Sequence, residues 1–582
     1  MEKIEKKLVE ASANGTFLKV LYNLYLKESD ERADLGNTLS ELHNAGTINL
    51  LFEFSGLKKN SPEIDFFLTR HLFEDALPNL ISPVFSVIEC VNHLFVEAGD
   101  DLAAGTVFKA FMSFCEREVT RPTEVLEIVK QLDKFYDFIS PAMIVGSKSN
   151  LSFFVREAIF LSQGENIDFR IRAIFALGRI DYKVDLPLAK KAMKVCMALA
   201  RNNIDDQILS VLLSTSFSLS LIYRSNPKVM SKHFQTILKK GGDYTLYEAS
   251  KLFAFNTAEL SSNLIDNIIG AFNSAERLQP GILKNIDFGI QSFLKSGNEM
   301  RGIDILEILL CDIKKKITIN TFDITVHYLT RGDAPILNRI VTKWFLSRNL
   351  FLSKAVKDIV NANPNRHLNI ELDKDQYLQD PRGSYVFLTM KAVGWLSNSP
   401  LTALSFIVSF IEYCNESELN IISKMLFYPL LVSYPIQIMK VIQEDVGGMP
   451  DKTRLVLTNL QSDYKKYISN LCKPGQIPEL LPTNYQVEIS ERFFRRKFSE
   501  SYKVAQKDSL LNLIGTKSVL LYGTKTIDYY SDSAGNQSRK ELELHKIEHS
   551  FEVPRLELLD PHGIDYLIRQ YRIEGCEYET NS

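Results

Sequence analysis

One pattern recurs from the first residues to about position 472. Helical segments of roughly 12–18 residues, each with an apolar stripe at spacing three or four, are separated by breaks of a few polar residues. Phe17, Leu21, Leu24 and Tyr25 form one stripe. Val84, Val87, Cys90, Val91 and Leu94 form another, stopped by Gly99-Asp100-Asp101, and Ala189, Ala192, Val195, Cys196 and Leu199 form a third. Pro122, Pro187, Pro227, Pro280 and Pro450 mark helix starts, where the missing N–H has no helical partner to lose. No sustained run of period-two alternation interrupts this stretch. A short helix buries its stripe only against other helices, and 582 residues exceed what one compact core encloses. Residues 1–472 are therefore expected to be all-α.

Residues 165–181 constrain the arrangement further. Asp168, Ile171-Arg172, Ala173, Ala176, Leu177, Gly178 and Ile180 resemble the second helix of a HEAT repeat: an acidic cap, a Val-Arg pair, small residues, then Ala-Leu-Gly-x-Ile. A weaker echo runs from Val155 to Leu161. Ala173 and Ala176 allow close approach of neighbouring helices, while Ile171, Ile174 and Leu177 supply a buried stripe. Asp168 is expected to cap the helix. The resemblance implies that Arg172 pairs with an acidic residue of an adjacent repeat. It also implies a HEAT-like α-solenoid of stacked hairpins of about 40 residues, since one hairpin cannot bury its own apolar side.

The texture changes after Cys472. Residues 473–483 carry Pro474, Pro478 and Pro482 and read as a linker. A helical pattern at about 489–513 follows. Strand-like runs come next at 518–522, 526–530, about 541–547 and 551–553, with a polar loop over 531–536 and a last short helix at about 563–571. The fold class expected is thus mostly α: a HEAT-like repeat array over 1–472, then a small α+β domain over 484–582.

His545-Lys546-Ile547-Glu548-His549 spells HxxEH, the order of inverted zinc metallopeptidases. On a helix His545 and His549 share a face and Glu548 stands near the attacking water. In a strand the two histidines lie about 13 Å apart and share nothing. The alternation Glu541-Leu542-Glu543-Leu544 favours the strand. His562 is the remaining candidate for metal or acid–base chemistry nearby. Gly515-Thr516-Lys517 and Gly523-Thr524-Lys525 are phosphate-loop fragments without the full motif or a following helix. Arg492, Arg495, Arg496 and Lys497, interleaved with Phe493, Phe494 and Phe498, form the densest basic cluster. They read either as a contact for phosphate or an acidic partner, or as the solvated side of a docking helix. Lys239-Lys240 and Lys314-Lys315-Lys316 sit at helix ends, where the dipole favours cations.

Charge balance narrows the partners: 68 Lys+Arg against 71 Asp+Glu leaves no global attraction to nucleic acid or anionic lipid. Seven cysteines include no CxxC pair, and an odd number of scattered thiols suits a reducing cytoplasm. No stretch reaches the roughly 20 apolar residues of a spanning helix, so no membrane is expected, and no cofactor is either. The leading expectation is a non-enzymatic scaffold or adaptor whose helical-repeat surface binds protein partners. Motif-poor helical-repeat chains of this size resemble components of multi-gene bacterial defence or mobile-element systems. The alternatives are a nucleic-acid-binding repeat protein with a basic concave face, and a hydrolase or metal-dependent activity around His545, Glu548, His549 and His562.

Overall fold

The computed structural model describes residues 2–26, 35–183, 185–223, 226–331, 335–362, 367–473, 482–507, 517–520, 525–531, 537–543, 552 and 554–576. Within them the chain is almost entirely helical. It divides into two units, Met1–Tyr328 and Leu329–Ser582. None of the described helices is long and apolar enough to cross a membrane.

Ten successive helices of the first unit show how the apolar stripes are used. They are α1 (Ile139–Gly146), α2 (Leu151–Ser162), α3 (Ile167–Leu177), α4 (Leu186–Asn202), α5 (Asp206–Ile222), α6 (Pro227–Lys240), α7 (Asp243–Phe255), α8 (Ser262–Ser274), α9 (Pro280–Lys295) and α10 (Glu299–Cys311). Consecutive helices pair as hairpins, α2 on α3, α4 on α5 and α9 on α10. Alternate helices pack as well. The odd-numbered helices α1 to α9 form one row of neighbours and the even-numbered helices α2 to α10 a second. Two rows of this kind are consistent with a helical-repeat solenoid.

Polar ties join each layer to the next. Thr215 Oγ1 donates to the Ile174 carbonyl at 2.9 Å, and Asn285 Nδ2 donates to Ser250 Oγ at 2.9 Å. The Asp206 carboxylate accepts from the N–H groups of Gly242 and Tyr244 at 2.7 and 2.8 Å. Asp287, fully buried, accepts from Ile324 and Thr325 N–H, both at 2.9 Å. A carboxylate of one layer thus caps the unpaired first turn of the helix that follows in its row. Lysines serve the other pole. Lys240 Nζ donates to the carbonyls of Ala200 and Arg201 at the end of α4, and Lys315 Nζ to that of Asn273 at the end of α8. These lysines therefore complete a neighbouring helix, Lys240 from the last position of α6 and Lys315 from the turn after α10.

Helix α3 holds the repeat-like residues. Ala173, Ile174, Ala176 and Leu177 are buried, as is Ile180 beyond its end. Its cap is Asn166, whose side chain accepts from the N–H groups of Asp168 and Phe169 at 3.0 and 3.2 Å. Asp168 stands in the first turn instead, where its charge faces the positive pole of the dipole. Arg172 Nη2 lies 2.5 Å from Asp137 Oδ1, one layer earlier. Gly178 ends α3 against α5, and a Cβ there would come within 2.9 Å of Thr215 Cα. At Gly289 in α9 a Cβ would lie 2.2 Å from the ring of Phe253, which is itself fully buried in α7. Gly289→Ala is expected to force α7 and α9 apart and lower unfolding stability by about 1–3 kcal/mol. An unchanged urea midpoint would show that the row has slack.

In the second unit, residues 367–373 run without helix. Leu368, Ile370 and Leu372 are buried. Their N–H groups donate to Thr402 Oγ1, Ser405 Oγ and Ser409 Oγ at 3.3, 3.2 and 2.9 Å. Glu371 and Asp373 N–H turn the other way, to Asn338 Oδ1 and Thr342 Oγ1. The segment is a short period-two run paired with hydroxyls and an amide rather than with a strand.

Further along are α11 (Tyr385–Leu396), α12 (Pro435–Asp445), α13 (Asp451–Cys472) and α14 (Asn484–Lys507). Three strands, β1 (Lys517–Leu520), β2 (Lys525–Ser531) and β3 (Gln537–Glu543), then form an antiparallel meander. Lys517 pairs with Tyr529, and Lys525 with Glu543. The chain ends in α15 (Arg555–Leu559) and α16 (Pro561–Ile573). Most of the expected linker (474–481), the 532–536 part of the loop and residues 544–551 lie outside the described residues.

The structure does not support a separate α+β domain over 484–582. Helix α16 packs on α11, within the helical body, and buries Ile564 and Ile568. Gly394 of α11 makes the approach close: a Cβ there would sit 3.0 Å from Tyr571 Cβ and 3.1 Å from Arg572 N. The shift in sequence texture after Cys472 therefore does not mark a boundary that the last helix respects.

Candidate functional site

The outward stripe of each odd-numbered helix is what the packing leaves uncovered. On α3 it carries Arg172, Phe175 and, just past the end, Arg179. On α5 it carries Ser210, Ser214 and Ser218, on α7 Tyr247, Glu248, Lys251 and Phe255, and on α9 Lys284, Phe288, Ser292 and Lys295. These positions recur at spacing three or four because the residues between them face the core. Aromatic and cationic side chains stand beside one another here. The Arg179 guanidinium lies 5.3 Å from the centre of the Phe175 ring, Lys251 Nζ 5.9 Å from that of Tyr247, and Lys295 Nζ 5.6 Å from that of Tyr328. The rings of Phe255 and Phe288 are 6.3 Å apart across α7 and α9. Phe175 is 38% exposed, Tyr247 48% and Phe255 67%.

Small residues on α5 turn this face into a groove of about 230 Å³. Ser210, Ser214 and Ser218 form its floor, with Phe175 and Arg179 on one side and Glu248 and Lys251 on the other. Lys251 Nζ donates to Glu248 Oε2 at 2.8 Å. The groove thus offers two cations, one carboxylate, hydroxyls and an aromatic ring. It presents no arrangement of a nucleophile beside a base.

The residues singled out from sequence fall elsewhere. His545, Glu548 and His549 lie outside the described residues. His562 is exposed in the first turn of α16. Among the described residues no cluster of three or more His, Cys, Asp or Glu could hold a metal ion. Arg492, Arg495 and Arg496 are exposed on α14, each ion-paired along the helix, with Glu488 at 2.6 Å, Glu491 at 3.3 Å and Glu500 at 3.2 Å. Their charge is therefore answered on their own helix, and exposed pairs of this kind contribute little to stability. The side chain of Lys497 lies outside the described residues.

Sequence reasoning also passed over the seat of the last helix. Lys391, buried in α11, donates to the carbonyls of Tyr571, Arg572 and Glu574 at 3.0, 2.8 and 2.7 Å and contacts Cys576 Sγ at 3.2 Å. Burial pulls its pKa down, opposed by Cys576 and Glu574. Arg572 Nε donates to the Gly394 carbonyl at 2.7 Å. Glu552 caps α12 through the N–H groups of Ile436 and Gln437 at 2.8 and 3.0 Å. Beside this seat is a cavity of about 420 Å³, lined by Val393, Ser397, Leu430, Tyr434, Ile564 and Ile568 among others. No protein-family model matches this chain, and no curated protein matches it either.

Proposed function

We propose that this chain is a non-enzymatic scaffold or adaptor, a HEAT-like helical-repeat protein that binds a macromolecular partner along the outward face of its odd-numbered row. The observation that carries this reading is the succession of exposed stripes on α3, α5, α7 and α9, where Phe175, Tyr247, Phe255 and Phe288 are exposed and Arg179, Lys251 and Lys295 stand beside aromatic rings. Exposed aromatic and arginine side chains on a rigid backbone are what binding surfaces concentrate. A triple variant, Phe175→Ala with Tyr247→Ala and Phe288→Ala, removes exposed rings and leaves the core intact. Wild type and variant, both folded by circular dichroism and compared by capture from native lysate with mass spectrometry and recovery of bound nucleic acid, should differ by loss of the bound partner. Identical captured protein together with identical co-captured nucleic acid would overturn the proposal.

A further inference from the structure

The chemistry of the groove narrows the partner. We infer that the face built by α3, α5, α7 and α9 binds single-stranded nucleic acid, with unstacked bases against Phe175 and Tyr247 and phosphates at Arg179, Lys251, Lys284 and Lys295. This rests on the reading that the odd-numbered row is the working face and adds the chemical class of its partner.

Three observations carry it. The first is local charge. The outward stripes hold Arg172, Arg179, Lys251, Lys284 and Lys295 against Asp168 and Glu248. Arg172 is held by Asp137 and Lys251 by Glu248, so Arg179, Lys284 and Lys295 set the sign of the face. The near-zero net charge of the whole chain conceals this, because acidic residues such as Asp206 and Asp287 are spent on capping inside the row. The second is the pairing of rings with cations at 5.3 to 5.9 Å on α3 and α7, either side of α5. A polyanion with flat, sequence-independent apolar faces uses both, through phosphate contacts and base stacking. The third is the floor. Ser210, Ser214 and Ser218 keep the space between Phe175 and Lys251 open and line it with hydroxyls.

These features favour a single strand over a duplex. In a duplex the base faces are covered by the pairs stacked above and below, so a double helix would meet the cations and leave Phe175 and Tyr247 idle. They also favour nucleic acid over an acidic peptide, whose carboxylates would answer the charges and leave the rings without flat partners.

The test uses the full chain and a short fluorescent oligonucleotide in single-stranded and duplex form, followed by anisotropy across a salt series. Wild type should bind the single strand more tightly than the duplex, with log affinity falling against log salt by about 0.7 per phosphate contacted. Phe175→Ala with Tyr247→Ala should weaken the single strand by about 30-fold or more. Arg179→Glu should flatten the salt slope by about 0.7. Phe160→Ala, on an exposed site of the even-numbered row, should change neither. The inference is overturned if wild type fails to bind the single strand, prefers the duplex, or binds both equally. Indifference of binding to the groove substitutions overturns it as well. Should oligonucleotide binding be absent while a protein captured from lysate is lost in the triple aromatic variant, nucleic acid is wrong and the scaffold reading stands. Should neither respond to that variant, both fall.

Discussion

Lys391→Met should release the last helix from the body of the second unit. The wild-type ammonium meets three carbonyls at the end of α16, groups that no helix can satisfy from within, and it does so fully buried. Methionine keeps most of the apolar stem and removes all three bonds, leaving buried acceptors unmet. The expected loss is about 3–5 kcal/mol of docking free energy. Amide hydrogen exchange over residues 561–573 should rise by orders of magnitude while α3 to α9 stay protected. Gly394→Leu should produce the same release by a different route, because its side chain would occupy the space of the Tyr571 and Arg572 backbone. Trp395, which has Arg572 5.2 Å from its ring, gives a fluorescence signal for both variants. Unchanged exchange in both would mean that α16 is held by its apolar face alone.

A second large effect concerns pH. His233 in α6 is buried, with Nε2 2.8 Å from Ser216 Oγ on α5. Desolvation, and then the Arg201 charge, depress its pKa to about 4. An unfolded chain restores the ordinary value near 6.5, so between pH 6.5 and pH 4 the unfolded state binds the extra proton. The stabilisation from this group is complete above pH 6.5 and is lost as pH falls through about 4. Its full size is about 3 kcal/mol. Urea midpoints of wild type and His233→Gln, compared at pH 7.5 and pH 4.5, isolate it: the wild type should lose more stability than the variant over that interval. Equal losses would show that the imidazole is neutral by neither burial nor need.

The helical character of the chain up to Cys472 was legible because the stripes and the proline starts are local signals. Ala173, Ala176 and Gly178 were legible for the same reason, as small residues where helices meet. Asn166 was not seen as the cap because Asp168 also fits that role by type, and only the backbone angles decide which one precedes the first turn. Leu368, Ile370 and Leu372 alternate in plain sight, yet five residues are too few to distinguish from a helix edge. Their partners are hydroxyls some 35 residues further on. The seat of α16 was illegible because Lys391 and Glu574 lie 183 positions apart and nothing local marks a buried lysine. The outward groove was hidden for a related reason. Its residues are individually ordinary, and they come together only once α3, α5 and α7 are known to lie side by side.

The way neighbouring layers complete one another has a mechanical consequence. Asp206 and Asp287 reach forward to finish the start of the next helix in their row, and Lys240 and Lys315 reach back to finish the end of an earlier one. An interior layer is thus sealed from both directions, whereas a layer at an edge is sealed from one. Melting of the first unit should accordingly behave as fraying, opening at its margins and travelling inward like a zip, and a nick near α5 should cost more than the same nick near either margin.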